Sequence, residues 1–423
     1  MPEDSADGGR IPALDGLRGV AILFVLFHHY FQAFLPGTDN WLDRSMIHIA
    51  GIGWTGVDLF FVLSGFLITG ILLDARASGG SYFKAFYARR FLRIFPAYYL
   101  FLFVLFVILP NVGELRGRAD LQAIVSDQIW YWTYTNNIHT SFDLNAHYGA
   151  FTNGHLWSLA VEEQFYLVWP LVVLLVGARR LAPVCLVLIV SAFVVRLAIR
   201  DQWLPLFNNS IAAHAMTPAR MDTLAIGALI AVMMRDERQF ALLKRAIAPA
   251  AAIGLVGLAV LMISFGAVTL PAFDFWTSTV GLSMLALLFG ALVTATVVAQ
   301  PGSILHTMGT QPILTIFGKY SYAIYIVHFQ LLELLRRSIR DSGGLPLVLG
   351  MEWPGRLFFV FIGASMSLAV AWLSWQVYEQ HFLKLKRYFP YRRRPAAAPQ
   401  PREPAAPALH PEPVTADVRV GAP

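Results

Sequence analysis

The stretch LDGLRGVAILFVLFHHYFQAF, residues 14–34, decides the fold class. It is apolar and long enough to cross a bilayer as a helix, yet it contains Arg18 and His29. A helix turns about 100° per residue, so the two side chains lie within about 20° of one face, roughly 16 Å apart along the axis. His28 lies about 80° from that face. Charged groups are unfavourable in hydrocarbon, so the pair indicates function.

The composition extends this interpretation to the whole chain. Of the 423 residues, 57% are hydrophobic and 14% are charged, which is too little polar surface for a soluble globule. We therefore predict an all-α integral membrane protein with about ten transmembrane helices. The predicted spans are residues 14–34, 57–73, 94–110, 156–176, 181–199, 219–234, 247–265, 276–299, 313–334 and 354–378.

Lysine and arginine runs predict the orientation of these spans. Placing both termini in the cytoplasm keeps most basic runs inside, so we predict a multi-pass protein of the inner (plasma) membrane. The positive charge is then explained by topology and contact with membrane lipids, and no nucleic-acid partner is predicted. Arg336, Arg337 and Arg340 would face outward, which leaves a missed or re-entrant span near them as an alternative.

Composition also divides the chain into three regions. Residues 1–13 form a polar cytoplasmic tail with no cleavable signal peptide after it, and residues 14–388 form the membrane domain. Pro, Ala, Arg and Glu dominate residues 389–423, which predicts a disordered cytoplasmic tail. The single cysteine, Cys185, leaves no internal disulfide or thiolate metal site, and we predict that it packs in the core.

A carboxylate stands at the outer start of the second span, in GVDLFFVLSGF, residues 56–66. If the first two spans form a hairpin, Asp58 lies at the depth of His29, and a carboxylate beside an imidazole fixes its tautomer and raises its basicity. Asp58 is therefore a candidate catalytic residue, and Ser64 is a candidate substrate ligand. The alternative for Asp58 is a helix-start residue at the membrane interface.

Arginines precede the third span in YARRFLRIFP, residues 87–96. Arg90 and Arg93 lie three residues apart on one helical face, a fork suited to phosphate or pyrophosphate. On the predicted topology they share the cytoplasmic end with Arg18. The alternative is that they only mark the inner side of the membrane.

Two glutamates interrupt the fourth span in LWSLAVEEQFYL, residues 156–167, and lipid-facing packing does not explain them. Steps of four place Glu162 on one face with Ser158 and Tyr166, so we favour Glu162 over Glu163 as a catalytic candidate. Tyr166 is then a candidate substrate ligand. A buried structural hydrogen bond is the alternative.

Further polar residues lie in the sixth and ninth spans. Arg220 and Asp222 begin the sixth span, and Tyr322 and His328 lie in the ninth. An unpaired charge at membrane depth is costly, so the charged residues should have partners elsewhere. Two interpretations stay open for all four: a helix-packing network, or the lining of a substrate route as substrate-binding residues.

The longest outward segment, residues 111–155, is rich in aromatic and amide side chains. Sugar rings stack on aromatic faces and their hydroxyls bond to amides, so the segment is a candidate for carbohydrate recognition. Interfacial anchoring is the alternative. The side chains are Trp130, Tyr131, Trp132, Tyr134, Asn136, Asn137, His139, Asn145, His147, Tyr148, Asn153 and His155.

In this order, the segments resemble the membrane-bound acyltransferase 3 family, which transfers acyl groups from a coenzyme A thioester to envelope glycans, lipids or secreted small molecules. The resemblance covers about residues 12–385. The motifs that carry the resemblance are Arg18 and His29 with ten residues between them, residues 56–65, Arg90 with Arg93, residues 156–166, Arg220 with Asp222, and residues 320–328.

The resemblance implies an acyltransferase 3-like bundle in which His29 is the catalytic base and Arg18, Arg90 and Arg93 bind the phosphates of acyl-CoA. Acetyl-CoA is the expected co-substrate, with no permanently bound cofactor or metal. The implied acceptor is a hydroxyl of an envelope polysaccharide or glycolipid, such as O-antigen or exopolysaccharide. Acylation of a secreted small molecule is the alternative.

In the implied mechanism His29 deprotonates the acceptor, with Asp58 or Glu162 orienting the imidazole, or forms a transient acyl-histidine. Some family members carry an added esterase-like domain, and this chain has its short tail there, so we expect a stand-alone transferase. A proton-coupled transporter is the main rival, because ten spans with buried charges also suit anion movement. The order of the motifs and the lack of visible inverted repeats favour the enzyme over a transporter or a scaffold.

Overall fold

The computed structural model describes residues 11–34, 40–113, 116, 119–142, 154–203, 209–266, 268–342 and 344–391. Within these ranges the chain is helical, and the only β feature is an isolated bridge between Val348 and Met351. The helices are α1 Pro12–Phe31, α2 Trp41–Ala50, α3 Gly56–Ala77, α4 Tyr82–Phe103, α5 Ala119–Ser126, α6 Gln128–Trp132, α7 Asn136–Phe142, α8 Trp157–Val176, α9 Ala178–Arg200, α10 Asn209–Ala215, α11 Met221–Met233, α12 Glu237–Ser264, α13 Leu282–Val297, α14 Ile304–Gly309, α15 Pro312–Asp341, α16 Trp353–Ser374 and α17 Gln380–Lys384.

Eight helical stretches of the described chain are long and apolar enough to cross a membrane. This confirms the predicted class, an all-α membrane protein. The other two predicted spans are also helices, but α11 has only 13 residues, and the polar residues of the 30-residue α15 lower its hydropathy. The eight are Pro12–Phe31, Trp41–Ala77, Tyr82–Asn111, Gly154–Val176, Ala178–Arg200, Glu237–Ser264, Thr277–Val297 and Trp353–Tyr388.

Helix α1 lies directly against α15, and glycines make this close approach possible. A Cβ atom on Gly19 would lie 2.0 Å from the carbonyl oxygen of Leu314, and one on Gly318 would lie 1.8 Å from that of Asp15. Small residues at such positions let helix backbones touch, as in membrane helix pairs generally. The contact sets the rotation of the two helices and so decides which α15 side chains face α1.

Helix α11 is buried along almost its whole length and packs against α3, α9 and α13. Glycines again allow close contact, because a Cβ on Gly65 would lie 1.9 Å from the Leu224 oxygen and one on Gly227 would lie 2.0 Å from the Val62 oxygen. Surrounding helices therefore enclose α11, and Cys185 on α9 is fully buried in the core, as predicted.

The C-terminal part of α15 does not contain the break that the outward arginines suggested. The helix runs unbroken to Asp341, and Arg336 and Arg337 both bind the buried carboxylate of Glu333, at 2.7 Å and 2.6 Å. A re-entrant break within α15 at Arg336 is therefore excluded, while the side of the membrane that these arginines face stays a prediction. The carboxylate of Glu333 therefore balances part of the positive charge of Arg336 and Arg337.

Two groups of contacts hold the ends of this bundle. Arg356 of α16 donates to the carbonyl oxygens of Phe31, the last residue of α1, and of Phe34, at 2.8 Å and 3.0 Å. At the other end of the chain, Ser78 Oγ donates to the Tyr391 oxygen at 3.1 Å. The first residues of the predicted tail, 389–391, are thus in contact with the bundle, whereas residues 1–10 and 392–423 lie outside the described residues.

Candidate active site

A cavity of about 100 Å³ lies between α1, α3, α4, α8 and α15. It has room for several water molecules. Seven of the predicted site residues line it, and they come from all five helices. They are Arg18, Ser64, Arg90, Arg93, Glu162, Tyr166 and Tyr322, joined by Ser158, Glu163 and Tyr325 among others.

The three predicted arginines converge on this cavity from two helices. Arg18 comes from α1, where it also forms an ion pair with Asp15 at 3.8 Å, and Arg90 and Arg93 come from one face of α4. The guanidinium carbon of Arg90 lies 4.9 Å from the ring centre of Tyr166, a cation–π contact. Three guanidinium groups around one space form a site suited to an anion with several phosphates.

Acidic and hydroxyl groups line the same space. Both Glu162 and Glu163 line the cavity, so the helical-face argument that selected Glu162 missed its neighbour. The hydroxyls of Ser64 and Tyr166 are hydrogen-bonded to each other. The cavity therefore contains two carboxyl groups among three arginines.

The described residues that line the cavity include Tyr325, whose ring centre lies 5.6 Å from that of His328. His29 pairs with His328 and, like it, is not among the described residues that line the cavity. Its Nδ1 lies 2.9 Å from Nε2 of His328, and Nδ1 of His328 lies 2.8 Å from the carbonyl oxygen of Tyr325. A carbonyl only accepts, so Nδ1 of a neutral His328 donates and its Nε2 accepts the proton of His29 Nδ1. This leaves Nε2 of His29 unprotonated, the form that a general base needs.

His28 has a different hydrogen-bond partner from His29, in line with its predicted position off the Arg18 face, although the two rings lie edge to face with centres 5.1 Å apart. Its Nδ1 bonds to the carbonyl oxygen of Ala50 at 3.0 Å. His155 is a further histidine of the cluster; it was predicted only as part of the outward aromatic segment, and the structure buries it against His328. Its ring centre lies 4.8 Å from that of His328. In the sequence, its position immediately before the run LWSL, residues 156–159, could have indicated that it belongs to the site.

Asp58 does not take the predicted place beside His29. Its carboxylate binds the guanidinium of Arg220 at 2.5 Å, and both side chains are almost fully buried. Rings of Phe61 and Trp157 lie 5.5 Å from the same guanidinium. A buried guanidinium requires a carboxylate partner, and this requirement explains why Asp58 points to Arg220.

Asp222 has a similar structural partner. It pairs with the fully buried Arg196 of α9 at 2.8 Å, and Arg196 also donates to the carbonyl oxygen of Ala219 at 2.6 Å. Neither Arg220 nor Asp222 is among the described residues that line the cavity. Of the two interpretations, helix packing therefore fits Arg220 and Asp222, while Tyr322 lines the cavity.

The amide groups expected to recognise sugars are partly used inside the protein. Gln164 Nε2 donates to the Tyr134 oxygen at 2.8 Å and to Asn137 Oδ1 at 2.9 Å, and Asn137 donates to the Ala215 oxygen at 3.2 Å. These bonds anchor the segment to α8 and α10. Trp130 stays 37% exposed, and Asn145, His147, Tyr148 and Asn153 lie outside the described residues.

Comparison with known proteins identifies the family of the chain. A family model described as an acyltransferase domain matches residues 11–376. The chain belongs to the acyltransferase 3 family. It is 29% identical to the O-acetyltransferase OatA of Staphylococcus aureus strain NCTC 8325 over 80% of this chain and 53% of that protein, with the same values for OatA of strain COL. The chain thus spans about half the length of these relatives, and no solved structure matches it.

Proposed function

We propose that this acyltransferase moves an acyl group, expected to be acetyl, from acyl-CoA to a hydroxyl of an envelope polysaccharide or glycolipid. The observation that carries the proposal is the cavity where Arg18, Arg90 and Arg93 meet, because its lining residue Tyr325 is hydrogen-bonded to His328, the partner of His29. Phosphate groups and a thioester are the two ends of a coenzyme A donor. In this proposal the arginines bind the phosphate end of the donor, and His29 acts at the thioester end.

The arginines are assigned to the phosphates of acyl-CoA. Guanidinium groups bind phosphate oxygens in two-point contacts, and a buried setting strengthens each contact. Glu162 and Glu163 balance part of the positive charge when the donor is absent. In the predicted orientation the arginines face the cytoplasm, where acyl-CoA is found, and both termini lie on that side of the inner membrane.

His29 is assigned the role of general base. Its Nε2 takes the proton of the acceptor hydroxyl, the oxygen attacks the thioester carbonyl carbon, and the carbon–sulfur bond breaks. The proton on His29 then passes to the leaving thiolate, so the products are an ester and free CoA. His328 acts as a positioning residue, because its Nε2 accepts from His29 and holds the reactive tautomer.

The acceptor assignment rests on the relatives named O-acetyltransferase and on the membrane setting. A hydroxyl acceptor fits a base whose Nε2 is free to accept a proton. Acylation of a secreted small molecule would use the same groups, so the identity of the labelled product decides between the two classes.

The test is transfer of label from radiolabelled acetyl-CoA in membranes that contain the full chain. Wild type, His29→Gln and Arg18→Ala are compared at equal protein level, and polysaccharide, lipid and small-molecule fractions are counted separately. His28→Gln is the matched control, because the adjacent ring bonds only to a backbone carbonyl in the described structure. We expect label in one fraction with wild type and His28→Gln and its loss with His29→Gln. Equal transfer by His29→Gln would refute the assignment of the base.

A further inference from the structure

We propose that the hydroxyl pair of Tyr325 and Ser158 donates the hydrogen bond that stabilises the thioester oxygen as negative charge develops on it. This inference rests on the proposed acyl transfer and adds a catalytic role to it. Both residues line the arginine cavity, and neither was among the predicted site residues.

Tyr325 stands where the cavity meets the histidine pair. Its side chain lines the cavity, while its backbone oxygen accepts the hydrogen bond from His328 Nδ1 at 2.8 Å. Its ring centre lies 5.6 Å from that of His328, and His328 in turn bonds to His29 at 2.9 Å. Tyr325 therefore belongs both to the cavity lining and to the contacts of the histidine pair, and the proposal places the thioester carbonyl beside its hydroxyl.

The two hydroxyls share one acceptor in the resting site. Tyr325 Oη donates to the His155 carbonyl oxygen at 2.8 Å, Ser158 Oγ lies 3.2 Å from the same oxygen, and the two hydroxyls are 2.6 Å apart. One O–H group is enough to satisfy this carbonyl, and the other donates to the first hydroxyl in the resting site. The second proton can therefore turn to a ligand in the cavity without leaving the carbonyl unpaired. Both side chains are buried, so water competes little for that donor.

The other hydroxyls of the cavity have different surroundings. Tyr166 supports Arg90 through its ring and bonds to Ser64, which places this second Ser–Tyr pair with the phosphate-binding groups. Tyr322 Oη donates to the carbonyl oxygen of Ile94 at 3.1 Å. The Tyr325 and Ser158 pair is the one that adjoins the histidines.

His29 removes the proton from the acceptor oxygen, which forms a bond to the carbonyl carbon, and the carbonyl electron pair moves onto its oxygen. Tyr325 or Ser158 donates a hydrogen bond to this oxyanion and keeps its own proton. Reformation of the carbonyl breaks the carbon–sulfur bond, and the thiolate receives the proton from His29.

The experiment measures kcat and the KM for acetyl-CoA in the label-transfer assay for Tyr325→Phe, Ser158→Ala and the double variant. Loss of one such donor typically lowers kcat by about 10²–10³-fold, and we expect this fall in the double variant with an almost unchanged KM. Each single variant should fall less, because its remaining hydroxyl is shared between the His155 oxygen and the substrate. A structural defect would instead lower the yield of folded protein.

Tyr98→Phe is the matched control. Tyr98 is fully buried and its hydroxyl donates to the Tyr131 oxygen at 3.0 Å, but it is not among the described residues that line the cavity. We expect wild-type kcat from it. If Tyr325→Phe fails to fold, Ser158→Ala alone carries the test, since it removes one oxygen from the same pair.

The outcomes separate this inference from the proposed function. No transfer by wild type with any acceptor fraction would remove the proposed function. Wild-type transfer together with an undiminished kcat in the double variant would leave the function standing and overturn the oxyanion role. A raised KM with unchanged kcat would also overturn it, because the pair would then bind the donor equally in the ground state and the transition state.

Discussion

Replacing Gly318 by alanine tests whether direct contact between α1 and α15 sets the geometry of the site. The added Cβ would lie 1.8 Å from the carbonyl oxygen of Asp15, and Cβ atoms essentially never approach closer than 3.0 Å, so the two helices must separate by more than 1 Å. Overpacking of this kind destabilises by about 1–3 kcal/mol. A shift of about 1 Å in catalytic geometry lowers the rate by up to about 10²-fold.

The shift acts on both ends of the proposed site, since α1 carries Arg18 and His29 and α15 carries His328. We therefore expect Gly318→Ala to lower acetyl transfer by about 10²-fold and to lower the thermal stability of the protein in detergent. Initial rates in membranes, normalised to protein level, and thermal unfolding of the purified protein measure the two effects.

Gly70→Ala on α3 is the matched control. Its added Cβ would meet nothing nearer than a guanidinium nitrogen of Arg235 at 3.9 Å, so the substitution has room. We expect wild-type activity and stability from it. Equal behaviour of Gly318→Ala and Gly70→Ala would refute the reasoning that backbone contact between α1 and α15 aligns the site.

Three other predictions concern single groups. His328→Phe should lower kcat by about 10²-fold at constant KM in the transfer assay, because His29 loses the acceptor that holds its tautomer; an unchanged kcat would contradict this. Arg90→Lys should raise the KM for acetyl-CoA about 10-fold with little change in kcat, and an unchanged KM would remove Arg90 from the phosphate site. Asp58→Leu should lower the free energy of unfolding by about 3–5 kcal/mol, and adding Arg220→Met should restore most of it; no recovery in thermal unfolding would argue against the buried pair.

Helical periodicity was sufficient to predict which side chains of one helix share a face. It separated His29 from His28, and the two indeed have different partners, His328 and the Ala50 oxygen. It also predicted that Arg90 and Arg93 share a face, and both line the cavity. These predictions depend only on local geometry, which the residue spacing determines.

Partners on different helices could not be predicted in the same way. The bond from His29 to His328 joins residues 299 positions apart, and that from Asp58 to Arg220 joins residues 162 apart. Depth in the membrane suggested Asp58 for His29, but depth does not determine the rotation of each helix about its axis. Glycine contacts such as Gly318 against Asp15 determine that rotation, and they become visible only when the helices are packed.

The two buried ion pairs have a consequence for how the protein is made. Asp58 is synthesised 162 residues before Arg220, and Arg196 also precedes its partner Asp222, so α3 and α9 leave the ribosome before Arg220 and Asp222, which stand at the start of α11, exist. A charged side chain in a lipid-embedded helix is unfavourable by about 2.5–3.5 kcal/mol on insertion scales. When α11 packs into the bundle, Asp58 of α3 pairs with Arg220 and Arg196 of α9 pairs with Asp222, so both buried charges gain their partners together. We therefore expect the nascent bundle to stay loosely associated, and open to membrane quality control, until this short helix has been translated.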